Sequence, residues 1–296
     1  MSEFATESAL MPTRRQRTLT RPVLVEGFGL FGGADVRMSL HPAPANTGLI
    51  FQRVDLAGRP QVPARHEFLV TQPRRTVLQR GTARVEMVEH VLAALAGLWI
   101  DNCVIQLDAL EPPVGDGSAL EIVEALLCAG ITEQVAPQTQ FTVDAELSLS
   151  TPGERGTMQA RRSTGWTIRY DLDYGQTVIP PQSFTATITP EEFVREIAFA
   201  RTFVLESEVA MLKARGFGQR ATTQNLLVFG PRGVLENRLR APDECARHKL
   251  LDCIGDLALC GGSPIGSFHA VQSGHHLNHR MVEKLLAGSR SIRKSA

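Results

Sequence analysis

The sequence lacks long apolar runs and an excess of either charge. Nowhere in its 296 residues do about 18 apolar residues follow one another, which a transmembrane helix would need. The first 20 residues lack the apolar core of a secretion signal. Because 31 basic side chains balance 31 acidic ones, the composition gives no electrostatic reason to expect nucleic acid or a membrane surface as a partner.

Cysteine is also scarce. The five cysteines are odd in number and follow no metal-ligand spacing, so we expect small buried side chains in a reducing cytoplasm. What the composition does supply is apolar residues, 43% of the chain, enough for sizeable cores.

The order of apolar segments predicts an α+β fold with two domains. Residues 1–15 are predicted to be a disordered leader, 16–133 an N-terminal domain and 134–296 a C-terminal domain, with the linker near 132–140. In each domain short strands come first and helices follow, which favours sheets packed against helices over a parallel βαβ sheet. The helices include VEMVEHVLAALAGLWIDN, RHKLLDCIGDLALCGG and NHRMVEKLLAG.

The segment RHKLLDCIGDLALCGG places His248, Asp252 and Asp256 at four-residue intervals. In an α-helix this spacing puts the three side chains on one face. Imidazole with carboxylate suits zinc or ferrous iron, so His248 and Asp252 are candidate metal ligands. The same spacing is also compatible with a solvated or capped helix face.

A third ligand is available in VEMVEHVLAALAG. His90 lies near the start of an apolar helix, where a single histidine is also compatible with a core role. Its neighbour Glu89 favours the metal interpretation, because metalloproteases place a glutamate beside a ligand histidine to reach metal-activated water. Two histidines and one carboxylate leave an open coordination position, which is typical of catalytic sites.

The segment SGHHLNH carries His275, His276 and His279. Histidine is the usual general acid near neutral pH, and a carboxylate such as Asp256 would favour its protonated form. The alternative is a solvent-exposed loop rich in histidine.

In order and spacing, six segments resemble UDP-3-O-acyl-N-acetylglucosamine deacetylases, the zinc amidases of lipid A synthesis. They are HPAPANTG, VEHVLAALAGLWIDN, EPPVGDGSA, REIAFARTF, RHKLLDCIGDLALCG and SGHHLN. The resemblance runs from QRTLTRPVLVEGFGL to the last predicted helix. It implies two α+β domains with the active site between them.

The resemblance also implies roles for individual residues. The zinc ligands fall on His90, His248 and Asp252, positions that would also accept Fe²⁺. The general base falls on Glu89, the histidine that protonates the leaving amine on His275, and its supporting carboxylate on Asp256. Thr202 corresponds to the threonine that stabilises the oxyanion. The positions implied to contact substrate are Lys249, Phe203 and Leu30.

From the same resemblance we expect a cytoplasmic, monomeric hydrolase. Its partner would be a nucleotide-sugar lipid, which implies at most a transient contact with a membrane surface. Two other classes share parts of this pattern. Ferrous oxygenases use two histidines and a carboxylate but would leave Glu89 without a role. A non-catalytic homologue that binds a nucleotide sugar would not need Glu89 or His275.

The chain departs from the family pattern in two places. Phe31 stands where histidine is usual, so we expect altered packing at the rim of the site. The insert near 202–230, which forms the acyl passage in the family, has Val204 after ARTF and Arg220-Ala221-Thr222 in place of Gly-Gly-Ser. Side chains at these positions would narrow the passage, with Arg220 adding a charge, unless the loop is reshaped and the passage stays open.

Overall fold

Two α+β halves follow one another along the chain, as the apolar pattern predicts. The structure, a computed structural model, describes residues 14–151, 155–175 and 177–288. The elements of the first half are β1 Arg15–Leu19, β2 Val23–Phe28, β3 Asp35–Pro42, β4 Leu49–Arg53, β5 Gln61–Pro63, β6 Leu69–Val70, β7 Val77–Arg80, β8 Ala83–Glu86, α1 Glu89–Gly97, β9 Cys103–Leu107 and α2 Leu120–Ala129.

The second half carries more strands and the insert. Its elements are β10 Ile131–Pro137, β11 Gln140–Thr142, β12 Leu147–Ser150, β13 Thr157–Arg161, β14 Trp166–Leu172, β15 Gln182–Thr187, α3 Pro190–Glu192, β16 Phe203–Leu205, α4 Glu206–Ala214, β17 Leu227–Gly230, β18 Gly233–Val234, α5 Glu244–Leu257, β19 Ser263–Val271 and α6 His275–Gly288. A π-helical turn over Phe193–Ile197 follows α3.

Each half has one main mixed sheet. The first has the order β2-β3-β9-β4-β5, and the second β12-β13-β19-β14-β15 with β11 added on β19. Most pairs in these two sheets are antiparallel, but β4 runs parallel to β9, and both β11 and β14 run parallel to β19. In β14 buried residues alternate with less buried ones, the period expected when one face of a sheet packs on helices. These sheets confirm the α+β class.

The segment predicted as a linker is a strand. β10 pairs antiparallel with β1, from Arg17 opposite Glu133 to Leu19 opposite Ile131. The predicted boundary at 133/134 therefore falls inside β10. Of the segment predicted as a leader, Arg14 pairs with Asp101 and Arg15 begins β1, while residues 1–13 lie outside the described part of the chain.

Helix α1 lies where the two halves meet. Its side chains from Val91 to Leu95 are fully buried, and it packs against α5 at Gly255. A Cβ on Gly255 would lie 2.0 Å from the carbonyl oxygen of Glu89, so only glycine permits this approach. At the other end of α1, Gly97 faces the ring of Phe193 in the same way. The contact with α5 fixes where α1 starts relative to the second half.

No helix within residues 14–151, 155–175 and 177–288 is long and apolar enough to cross a membrane.

Candidate active site

A cleft of about 730 Å³ lies where the start of α1, the first half of α5 and the start of α6 converge. Glu89 and His90 come from α1, His248, Lys249 and Asp252 from α5, and His275 from α6, so both halves of the chain contribute to its lining.

Three predicted ligands form one cluster in this cleft. Nε2 of His90 and Nε2 of His248 each lie 3.5 Å from Oδ1 of Asp252. One donor atom from each residue can be chosen so that all three lie within 4.8 Å of one another. His248 and Asp252 are almost fully buried, and His90 is partly buried. His248 and Asp252 lie on one face of α5, at the four-residue spacing of the sequence, and His90 reaches them from α1.

Neighbouring groups prepare these side chains as ligands. The carbonyl oxygen of Ala200 can only accept, so Nδ1 of His248 donates to it at 3.1 Å and leaves Nε2 with a free lone pair. Burial lowers the pKa of His248 to about 3, which keeps it neutral. Lys249 donates to Oδ2 of Asp252 at 2.7 Å. Burial opposes ionisation of Asp252, but the charged ammonium of Lys249 holds its pKa well below the usual range.

These donors fit a divalent metal. Two neutral imidazoles and one ionised carboxylate, buried and mutually close, are the donor set of catalytic zinc sites. The contact from Ala200 to His248 is the orienting hydrogen bond that ligand histidines usually make. The same donors also suit ferrous iron.

Glu89 adjoins the cluster without being a member of it. It is almost fully buried, and its Oε2 accepts the backbone N–H of Thr76 at 3.1 Å. Its Oε1 lies 3.9 Å from Nε2 of His275. Burial raises the pKa of Glu89, which moves this carboxylate toward the range in which a general base operates near neutral pH.

His275 is held by the carboxylate that the sequence suggested. Its Nδ1 donates to Oδ2 of Asp256 at 2.8 Å. Burial opposes protonation, but the charge of Asp256 and this hydrogen bond outweigh it and raise the pKa of His275 to about 9. His275 is therefore charged at neutral pH, and its Nε2 faces the cleft beside Glu89.

Asp256 is fully buried and also accepts hydrogen bonds from other residues. Nδ2 of Asn278 donates to its Oδ2 at 2.8 Å, and the hydroxyl of Thr76 donates to its Oδ1 at 2.5 Å. Nε2 of His279 lies 3.2 Å from Oδ1. Asp256, His275 and His279 are close enough to suggest a second metal cluster. Because donors already occupy both oxygens of Asp256, we interpret the trio as a hydrogen-bonded network.

The histidine-rich segment is not the exposed loop of the alternative interpretation. Helix α6 begins at His275, three residues before the predicted start at Asn278. His275 and His279 stack with ring centroids 6.1 Å apart, and His276 is exposed at the edge of the cleft.

The other predicted residues also line the cleft. Thr202 is fixed through its backbone, which donates to Gly117 O and accepts from Leu227 N. Phe203 meets His248 edge to face, with centroids 6.1 Å apart. Leu30 is buried in the same wall.

In the insert, contacts with the first half of the chain hold Arg220 outside the cleft. Its guanidinium donates to Gly33 O and to Asp35, each at 2.7 Å, and lies over the ring of Phe28. Arg220 does not line the cleft, which favours the alternative in which the loop is reshaped and the passage stays open. The cleft wall does include Val204.

Phe31 packs at the rim, as expected. Its ring lies 4.8 Å from that of Phe217, and Arg75 lies over both rings. The backbone N–H groups of Phe31 and Gly32 donate to Glu111 at 2.7 Å, so Glu111 stabilises this turn.

Sequence reasoning missed two residues of the network, Thr76 and Asn278. Asn278 could have been found, because it lies three positions after His275 on α6 and shares its face. Thr76 had no such signal, since 180 residues separate it from its partner Asp256.

A buried two-histidine, one-carboxylate cluster with an adjacent base carboxylate and a charged histidine is typical of metal-dependent hydrolases. The model of the LpxC family, UDP-3-O-acyl N-acetylglycosamine deacetylase, matches residues 16–287, and the chain belongs to this family. The chain is 37% identical over 276 residues to the UDP-3-O-acyl-N-acetylglucosamine deacetylase of Pseudomonas entomophila (92% of this chain, 90% of the relative). It is 38% identical over 273 residues to that of Myxococcus xanthus (92% and 86%).

Proposed function

We propose that this protein hydrolyses the acetamide of UDP-3-O-acyl-N-acetylglucosamine to the free amine and acetate, a step of lipid A biosynthesis. The observation that carries the proposal is the cluster of His90, His248 and Asp252 with Glu89 and His275 beside it in one cleft, in a chain of the deacetylase family. The five free thiols agree with a cytoplasmic location.

His90, His248 and Asp252 would hold the metal, which we propose to be zinc, with ferrous iron as the alternative for the same donors. When bound, such an ion supplies a Lewis acid that polarises a carbonyl and acidifies water. Neutral His248 and ionised Asp252 have the protonation states that a ligand needs.

Glu89 is proposed as the general base. The N–H of Thr76 holds its Oε2, which leaves Oε1 toward the cleft and His275. A buried carboxylate with a raised pKa can take the proton of the attacking water more readily than an exposed one can.

His275 is proposed as the general acid. Asp256 fixes its Nδ1–H, so the proton available for transfer lies on Nε2. From there it would pass to the departing glucosamine nitrogen, which must be protonated to leave as an amine. The charged state at neutral pH follows from Asp256.

Thr202 is proposed to stabilise the oxyanion, and Lys249 to contact substrate while it holds Asp252. The acyl chain would contact the apolar part of the cleft wall, which includes Leu30, Phe203 and Val204.

The test is acetate release from UDP-3-O-acyl-N-acetylglucosamine by the purified protein, over several acyl lengths, with and without a chelator. Chelator-sensitive release restored by zinc is the expected result. Release that persists after complete metal removal would contradict the metal assignment. No release at any length from protein with its metal bound would favour a non-catalytic homologue.

A further inference from the structure

Thr76 hydrogen-bonds both to the proposed base Glu89 on α1 and to Asp256 on α5, which supports the proposed acid, although Thr76 itself lies on neither helix. It lies immediately before β7 and is fully buried. Its backbone N–H donates to Oε2 of Glu89, and its hydroxyl donates to Oδ1 of Asp256. Its carbonyl oxygen accepts the N–H of Val88, the residue before α1, at 3.5 Å.

The direction of these bonds follows from the chemistry of the partners. An ionised carboxylate only accepts, so the hydroxyl proton of Thr76 points to Asp256. The oxygen lone pairs are then free for Nε2 of His279, which lies 3.0 Å away. Oδ2 of Asp256 accepts from His275 and Asn278, so Thr76 and His275 engage opposite oxygens of one carboxylate.

We propose that Thr76 is a positioning residue that keeps the acid pair, His275 and Asp256, in register with the base Glu89. The inference rests on the proposed function. Thr76 touches no reacting atom in this scheme; its hydroxyl sets the rotation of the Asp256 carboxylate, and that carboxylate sets the imidazole plane of His275.

The side-chain test compares Thr76→Val, which keeps the shape but removes the hydroxyl, with Thr76→Ser, which retains it. We expect Thr76→Val to lower kcat by about 10- to 100-fold with KM and bound zinc unchanged, and Thr76→Ser to recover most of the loss. Thr71→Val, an exposed threonine just after β6, is the matched control. The proposal would be overturned if kcat of Thr76→Val equals that of the wild type, or if kcat of Thr76→Ser is no higher than that of Thr76→Val.

A second readout does not depend on turnover. In the zinc-loaded protein, the ¹⁵N and ¹H signals of the His275 Nδ1–H group report its hydrogen bond to Asp256. We expect them to shift in Thr76→Val and to stay near wild type in Thr76→Ser. Unshifted signals in Thr76→Val would refute the positioning role. If the signals shift in Thr76→Val but the wild-type protein releases no acetate, the positioning role is retained and the proposed reaction is rejected.

Discussion

Adding one methyl group at Gly255 is expected to disturb the candidate site more than any surface change. The new Cβ would lie 2.0 Å from Glu89 O, 2.8 Å from its C and 3.0 Å from its Cα. Ordinary contact begins near 3.4 Å. In Gly255→Ala, α1 and α5 must therefore separate by about 1.4 Å along this direction or deform, because backbone atoms cannot rotate away as a side chain can.

Two consequences follow from this displacement. Overpacking of this kind costs about 1–3 kcal/mol of folding free energy. The displacement also separates Glu89 and His90 on α1 from Asp252 and His248 on α5, and a misplacement of about 1 Å can lower turnover about 100-fold. We therefore expect weaker zinc binding and lower kcat together with a lower urea midpoint.

Two other glycines serve as controls. A Cβ added to Gly288, at the end of α6, would have nothing within 4 Å. Gly288→Ala is therefore expected to leave zinc binding, kcat and the urea midpoint unchanged. A Cβ on Gly97 would lie 2.3 Å from Cγ of Phe193, at the end of α1 away from the site. Gly97→Ala should lower the urea midpoint but weaken zinc binding less than Gly255→Ala does. Wild-type turnover and stability in Gly255→Ala would refute the reasoning.

The remaining predictions concern the acid, the base and the insert. Because Asp256 raises the pKa of His275 to about 9 despite burial, kcat is expected to fall as the pH rises through about 9. In Asp256→Asn the pH at which kcat falls should move toward 6.5, the ordinary pKa of histidine. If that pH does not change, His275 is excluded as the acid. Glu89→Gln is expected to bind zinc fully yet lose about 100-fold or more in kcat, and undiminished turnover would exclude Glu89 as the base. Arg220→Gly should leave the acyl-length profile unchanged, because Arg220 lies outside the cleft, and cost at most about 1 kcal/mol through its exposed ion pair. Val204→Gly, inside the cleft, should change that profile; a changed profile in Arg220→Gly would place its side chain in the passage.

Much of the candidate site could be predicted because it is encoded within short helical segments. Four-residue spacing put His248, Asp252 and Asp256 on one face of α5. The pair Glu89-His90 lies at the start of α1, four residues after the predicted start at Val85, which belongs to β8. Such relations depend only on helix geometry, which is local. Strand alternation and helix amphipathicity likewise gave the α+β class, since each depends on the period of apolar residues.

Long-range contacts decided what these local patterns left open. The segment predicted as a linker became β10 because β1, more than 110 residues earlier, supplies its hydrogen-bonding partner. The sequence left open whether Arg220 enters the passage, and its contacts with Asp35 and Phe28 hold it outside the cleft. Thr76 reaches Asp256 across 180 residues of sequence, at the site where Gly255 allows α1 and α5 to approach closely. Sequence spacing determined which side chains share a helix face, whereas only packing between the two halves determined which faces meet.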